Sequence, residues 1–422
     1  MRRVLFIAYP FPPMGGGGVQ RTLSFVRHLP AQGILPVVLT GDAPERYWAQ
    51  DESLLAKVPP AVEVLRVPDR ALGTARRLLR RAAPAGARPT LDRLLDLPDR
   101  QATWWPAATR AALRRARQGD LHGIYSTSSP WTDHLVARAV ARRTGLRWVA
   151  DFRDPWTLNQ TFDPLTPGHR ALHARWEAAV LAEADAVVAN TEANRAALEA
   201  HFPAARGKTA VIPNGWEPEE VADLPGPPAG GPLVLGYAGS FYRGYQPDAF
   251  YRHLKAALAA RPELQVHLRM CGKTEQAEAL RQAGLHSIAE ERGYLPQAEA
   301  LAHLAQSHAV LLILPPSATP SGWVPQKLYV YLALGRPVVA VCPPGEARDL
   351  LTAAGGRHLI LDPDDAEGGP RLASWLAKLA AEPQAPAGFR PEVVARYDRR
   401  ALAAQLAGLL AGSRRPAQQG PA

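Results

Sequence analysis

Short aliphatic and β-branched runs alternate with Ala-rich stretches of helical spacing along almost the whole chain. In the first half the runs are RVLFIAY, PVVLT, VEVLRV, GIYSTS, RWVADF, DAVVAN and TAVIPN. In the second they are LVLGYAG, LQVHLRMC, SIAEERGYL, AVLLIL, PVVAVC and HLILD. Strands separated in this way by helices form parallel sheets, so the pattern predicts an α/β protein.

Between the two sets lies GWEPEEVADLPGPPAGGP, residues 215–232, rich in Pro and Gly and without hydrophobic periodicity, which predicts a linker. The second set then restarts as the first began. A strand leads to a turn of small residues at Gly239 and Ser240, then to a polar and aromatic loop and the helix DAFYRHLKAALAA. Two similar domains in tandem are expected, over residues 1–214 and 233–395. A C-terminal helix at 396–411 is expected to return to the first domain, and residues 412–422, with nothing to bury, are expected to be disordered.

The length of 422 residues agrees with two large domains, since it exceeds what one core usually organises. Apolar residues at 47 % and charged residues at 21 % exclude a disordered or fibrous chain. There is no run of eighteen apolar residues, and MRRVLFIAYP is too short and too soon followed by Pro and Gly for a signal peptide. A cytoplasmic protein is expected. Cys271 and Cys342 sit in or beside apolar runs and read as buried thiols, and no metal-ligand spacing is visible.

The net charge is +10, from 49 basic and 39 acidic residues, and only six of the basic residues are Lys. Arginines cluster between Arg66 and Arg117, where Leu and Trp positions are partly helical in spacing. Two readings stay open: a solvated basic face, or peripheral contact with an anionic membrane at the inner face of the plasma membrane. Nucleic acid is disfavoured, because aromatic residues are scarce there apart from Trp104 and Trp105 and no nucleic-acid-binding module is present.

Three stretches carry candidate chemistry. PPMGGGGVQR follows the first strand run. Glycines there permit close backbone approach, and the next helix offers unpaired N–H groups to an anion, although a flexible turn would also use them. The dinucleotide spacing Gly-x-Gly-x-x-Gly fails, since Gly15 and Gly17 are followed by Gln20. WVADFRDPW sets Asp151, Arg153 and Asp154 at the end of a strand, either as an ion-paired loop or as the source of a base. In the second half, Gly239, Ser240 and Arg243 follow a strand, and Lys327 follows a helix-opening Pro; a Lys and an Arg on one face of a sheet suit a diphosphate.

Taken in order, YPFPPMGGGGVQR, ADFRDPW, IPNG, GYAGSFYRG, RGYLP and PQKLYVYLALGRPVVAV resemble bacterial glycosyltransferases of family 4, over nearly the whole chain. The resemblance implies the GT-B architecture, two Rossmann-like domains facing a central cleft. It also implies sugar transfer from a nucleotide diphosphate sugar to a glycan or other glycoconjugate, usually with retention and without a metal or other cofactor. Ser240, Arg243 and Lys327 would then contact the diphosphate, with Gly239 beside them, and Gly293, Tyr294 and Leu295 would receive the nucleobase. The first domain would bind the acceptor around Gly16, Gly17, Gln20 and Arg21, with Asp154 or Asp151 facing the reacting hydroxyl, and Asn214 and Gly215 would lie at the hinge.

One departure stands out. Many family members carry two glutamates eight positions apart, the second bonding the donor ribose, and this chain has Gly322 and Val330 there. Either another residue such as Glu346 substitutes, or the donor differs, or the chain is a non-catalytic binding or scaffold protein of the same fold. A nicotinamide-dependent oxidoreductase ranks behind both.

Overall fold

In the computed structural model, which describes residues 1–43, 47, 50–69, 81–82, 84, 86, 88–159, 162–241, 246–315 and 322–412, each of the predicted runs holds a strand. The first set gives β1 (Arg2–Ile7), β2 (Ile34–Gly41), β3 (Glu63–Val67), β4 (Leu121–Thr127), β5 (Arg147–Phe152), β6 (Ala186–Ala189) and β7 (Thr209–Val211). They form one parallel sheet in the order β3-β2-β1-β4-β5-β6-β7. The second set gives β8 (Leu233–Ala238), β9 (Val266–Cys271), β10 (Ala289–Glu291), β11 (Ala309–Ile313), β12 (Val338–Val341) and β13 (His358–Leu361). These make a second parallel sheet in the order β10-β9-β8-β11-β12-β13.

Central strands such as β11 are buried at every position, which is why they read as unbroken apolar runs: helices cover both faces of the sheet. β9 alternates instead, with Val266, Leu268 and Met270 buried and His267 and Arg269 half-buried. The run SIAEERGYL yields only the three residues of β10, because Gly293 leaves the strand region at φ 66°.

The chain divides into two units: Met1–Pro213 together with the segment from Arg399 onward, and Asn214–Asp398. In the first, the Phe6 ring stacks on Tyr125 at 4.4 Å, and Trp104 and Trp148 are fully buried. Their indole N–H groups are satisfied by the Val67 carbonyl and the Ser126 hydroxyl. The helix Arg399–Ala411 places Leu402, Ala403, Leu406, Ala407 and Leu410 in this same core, at the i, i+3, i+4 spacing of one helical face. Each of the three buried leucines, Leu402, Leu406 and Leu410, contributes roughly 1.5–3 kcal/mol of burial.

Residues 215–232, expected as a linker, are part of the second unit. Trp216 donates through Nε1 to the Val394 carbonyl at 3.0 Å, and Leu224 packs on an apolar cluster of that unit. The carbonyls of Pro227 and Pro228 accept from Gln384. A Pro- and Gly-rich stretch reads as solvent-exposed, yet its few large apolar side chains are enough to hold it down. Cys271 and Cys342 are free, buried thiols. Among the described residues, no helix is long and apolar enough to cross a membrane.

In each sheet the strand order reverses once, between β1 and β4 and between β8 and β11. Ligands of open α/β sheets bind beyond the strand C-termini at such reversals. The loops after β1, β4 and β8 are therefore the places to look for chemistry.

Candidate active site

In the first unit, Gly16 has φ 100°, a conformation that favours glycine, and it opens the helix Gly17–His28. That helix has neither a side-chain cap nor an acidic residue in its first turn. Gly17 is exposed, and Gln20 is half-buried with its N–H bonded to the Gly16 carbonyl.

Arg21 is turned into the interior. Its side chain is 3 % exposed and pairs with Asp151, Nε to Oδ2 at 2.8 Å and Nη2 to Oδ1 at 3.1 Å. The remaining Arg21 donors reach the carbonyls of Ile212 and Pro213, both at 2.8 Å. Asp151 also accepts from the Tyr125 hydroxyl and, at 3.4 Å, from Thr127. Burial opposes the charge of Arg21, and Asp151 reverses that effect, leaving the guanidinium above its ordinary pKa. Burial and the neighbouring Asp151 push the Tyr125 phenol well up, so it stays a donor. Asp151, expected as a base, and Arg21, expected at the acceptor, are thus placed together in the interior. Both are fully engaged in an interior ion pair that ties β5 to the Gly17–His28 helix and to the chain beyond β7.

Asp154 is different. Its side chain is 41 % exposed, and only Oδ2 is engaged, by Arg153 Nε at 3.2 Å and Nη2 at 2.9 Å. The loop bearing it is anchored by Trp156, which is fully buried, lies parallel to Trp131 at 5.6 Å and donates to His173 Nδ1 at 2.9 Å. Burial lowers His173 to about 4, so the ring is a neutral acceptor. Beneath the same loop, Glu177 Oε2 accepts from the Thr157 N–H at 3.0 Å and from its hydroxyl, while burial pushes this carboxyl up to about 7.

In the second unit, Lys327 lies in the first turn of the helix Gln326–Leu334, after Pro325. Its Nζ donates to the Tyr237 hydroxyl at 3.0 Å and sits 4.1 Å from that ring's centre. A Cβ at Gly239 would come within 2.5 Å of Nζ, so a glycine at the end of β8 makes the space the ammonium occupies. Burial lowers the lysine to about 7, and no carboxylate pairs with it among the described residues. Behind Gly239, Gly272 at φ 118° leaves no room for a side chain, which would meet the Gly239 carbonyl at 2.0 Å.

Ser240 is half-buried beside Gly239, and Phe241 stacks on Tyr237 at 4.6 Å. Gly293 accepts from the Gly272 N–H at 2.6 Å, Tyr294 is 61 % exposed, and Leu295 is half-buried. The loop after β9 and the one after β10 are thereby joined at the edge of the Lys327 site. Arg243 lies outside the described residues. Gly322 is buried, Val330 is half-buried against an apolar cluster, and Glu346 begins the helix Glu346–Ala354. Sequence reasoning missed Tyr237, although it stands two residues before Gly239 in the GYAG run, and it read Arg153 only as part of a bracketed charge pair. Among the described residues no group of three His, Cys, Asp or Glu side chains is placed to hold a metal ion.

Two parallel sheets, with a glycine-walled cation at the order reversal of the second and a carboxylate-bearing loop after β5 of the first, have the GT-B fold, and the comparisons agree on that fold. More particularly, residues 15–220 match the family model described as Glycosyltransferase Family 4. No curated protein matches the sequence significantly. Among solved structures, sucrose-phosphate synthase from Thermosynechococcus elongatus is similar at TM-score 0.66 and 16 % identity, covering 97 % of this chain and 98 % of that one. Anabaena HepE in complex with UDP-glucose is similar at TM-score 0.60 and 18 % identity, covering 97 % and 99 %. WaaG, a glycosyltransferase involved in lipopolysaccharide biosynthesis, is similar at 0.60 and 14 %, covering 97 % and 100 %.

Proposed function

We propose that this enzyme moves a sugar from a nucleotide diphosphate donor to a glycan or other glycoconjugate, with retention and without a metal ion. The observation that carries the reading is Lys327: a half-buried ammonium with a glycine wall, a phenol and, among the described residues, no counter-carboxylate suits a diphosphate. In this reading the second unit binds the donor. Lys327 and Arg243 offset the charge that grows on the departing phosphate, and rate comes from positioning and electrostatic stabilisation. The first unit binds the acceptor, and the hydroxyl's proton goes to the departing phosphate or to the unengaged oxygen of Asp154. HepE, solved with UDP-glucose, and WaaG, of lipopolysaccharide biosynthesis, support a nucleotide sugar donor and a cell-envelope acceptor.

Val330 faces an apolar cluster where many family members offer the ribose a carboxylate, so a ribose contact falls to another residue, and Glu346 at the next helix start is our candidate. The basic stretch before Arg117 is read as peripheral contact with an anionic membrane. Cosedimentation with anionic liposomes at low salt checks it, and failure to sediment there refutes it. Thermal-shift screening against a panel of nucleotide sugars tests the main reading. One donor should raise Tm and, with an acceptor glycan, release its nucleoside diphosphate; no stabilisation and no release with any donor would refute the reading.

A further inference from the structure

We propose that Arg153 is the anion-binding side chain of the first unit, holding a phosphate oxygen through Nη1 beside the first turn of the Gly17–His28 helix. Four observations lead there. First, the guanidinium lies against Gly18 so closely that a Cβ at that position would stand 1.5 Å from Nη1. The glycine is needed for the arginine's position. Second, Nε and Nη2 are spent on Asp154 and Ser129, whereas Nη1 has no acceptor among the described residues.

Third, a guanidinium at a helix N-terminus is set against the positive end of the helix dipole, where an acidic side chain is the favoured neighbour. This helix start has no acid and no cap, and its first N–H groups lack intrahelical acceptors. Among the described residues Asp154 is the one carboxylate hydrogen-bonded to this guanidinium, and it engages only Nε and Nη2, which leaves Nη1 and the helix start as a place for a further anion. Fourth, the buried carboxyl of Asp133, within reach of the Arg153 charge, accepts from the Tyr9 N–H at 2.9 Å through Oδ2 and leaves Oδ1 without a partner. Burial pushes this carboxyl well up and favours its protonated form, so Oδ1 can donate a hydrogen bond to a ligand oxygen or a water.

The second unit supports the same logic independently. There too a cation tip, Lys327 Nζ, fills the space a glycine lacks at a strand C-terminus where the sheet order reverses. Phosphate is the shared chemistry, since a guanidinium and backbone N–H groups together match its oxygens. It comes either from the donor's diphosphate or from a phosphate on the acceptor. Only this choice of source rests on the glycosyltransferase reading.

The test is isothermal titration of the full-length chain with inorganic pyrophosphate, UDP and uridine, for the wild type, Arg153→Gln, Arg153→Lys and Gly18→Ala. Arg153→Gln should weaken pyrophosphate at least about tenfold, the loss of one charge-assisted bond, and leave uridine unchanged. Arg153→Lys should recover part of the loss. Gly18→Ala keeps the charge but displaces the guanidinium, and should weaken pyrophosphate similarly, which keeps the idea testable if Arg153→Gln does not fold. In turnover, a raised KM for nucleotide sugar alone assigns the donor's phosphate, and a raised KM for acceptor alone assigns the acceptor's; either supports the site. Pyrophosphate affinity within twofold of wild type in both Arg153→Gln and Gly18→Ala, or no pyrophosphate binding by the wild type, overturns it. Failure of the glycosyltransferase reading looks different: no sugar turnover, with pyrophosphate binding still dependent on Arg153.

Discussion

Raising the pH from 7 to 9 removes the proton from Lys327 in the ligand-free protein, because burial holds that lysine near 7 instead of its ordinary 10.5. A bound diphosphate reverses this by placing negative charge beside Nζ. Between about 7 and the pKa the ammonium regains beside the phosphates, the complex therefore holds one more proton than the free protein, and affinity falls as pH rises. The size follows from the titration: half the lysines are charged at pH 7 and about one in a hundred at pH 9, so the apparent Kd rises roughly fifty-fold, or about 2 kcal/mol. A terminal phosphate has a second pKa near 6, so above pH 7.5 the ligand's own titration is over.

The assay is titration of UDP in two buffers of different ionisation enthalpy at pH 8, where binding should take up about 0.9 proton. Lys327→Met should bind about tenfold or more weakly at pH 7, with a flat profile to pH 9. The fold itself follows the opposite course: the unfolded chain binds the extra proton between 7 and 10.5, so ligand-free stability rises with pH through that interval. A wild-type Kd constant within twofold from pH 7.5 to 9, without proton uptake, refutes the reasoning.

The remaining predictions concern the first unit. Asp151→Asn leaves Arg21 buried and unpaired and should cost about 3–5 kcal/mol, read as a lower denaturation midpoint with nucleotide affinity unchanged. Glu177, held near 7 in the fold and at 4.5 when unfolded, favours the native state below pH 4.5, and that contribution is lost as pH rises through 7. Urea unfolding of Glu177→Gln should show a smaller drop in stability between pH 5 and 8, the difference being on the order of 3 kcal/mol; parallel curves for variant and wild type would count against it. Gly16→Val forces a β-branched residue to φ 100° and should impair sugar transfer more than nucleotide binding, measured as kcat against the Kd for UDP.

The strands were legible because central strands covered on both faces carry unbroken apolar runs, and the helices between them begin and end on ordinary signals such as Thr191 accepting from the Asn194 N–H and Gly335 at φ 63°. Contacts across the sheet order were not. Arg21 and Asp151 lie 130 positions apart and meet only because β4 is the one strand between β1 and β5. From the sequence, Asp151 and Asp154 are equivalent carboxylates flanking Arg153. Strand alternation and the turn after Phe152 separate them, one into the interior and one to the surface. The tie between residues 215–232 and the second unit was hidden for a related reason, since two apolar side chains in a Pro-rich stretch give no periodicity to read.

Lysine scarcity helped to single out Lys327, whereas Arg153 had no such contrast in a chain with 49 basic residues. What distinguishes Arg153 is its glycine. Four consecutive glycines after β1 look interchangeable in the sequence, but they have different duties: Gly16 takes φ 100°, Gly17 stays exposed, and Gly18 accommodates a guanidinium. Mobility of the loop would require none of these in particular. A loop built instead to hold one cation at a helix start tolerates change at Gly17 far better than at Gly18, and that inequality separates an anion cradle from a merely flexible lip.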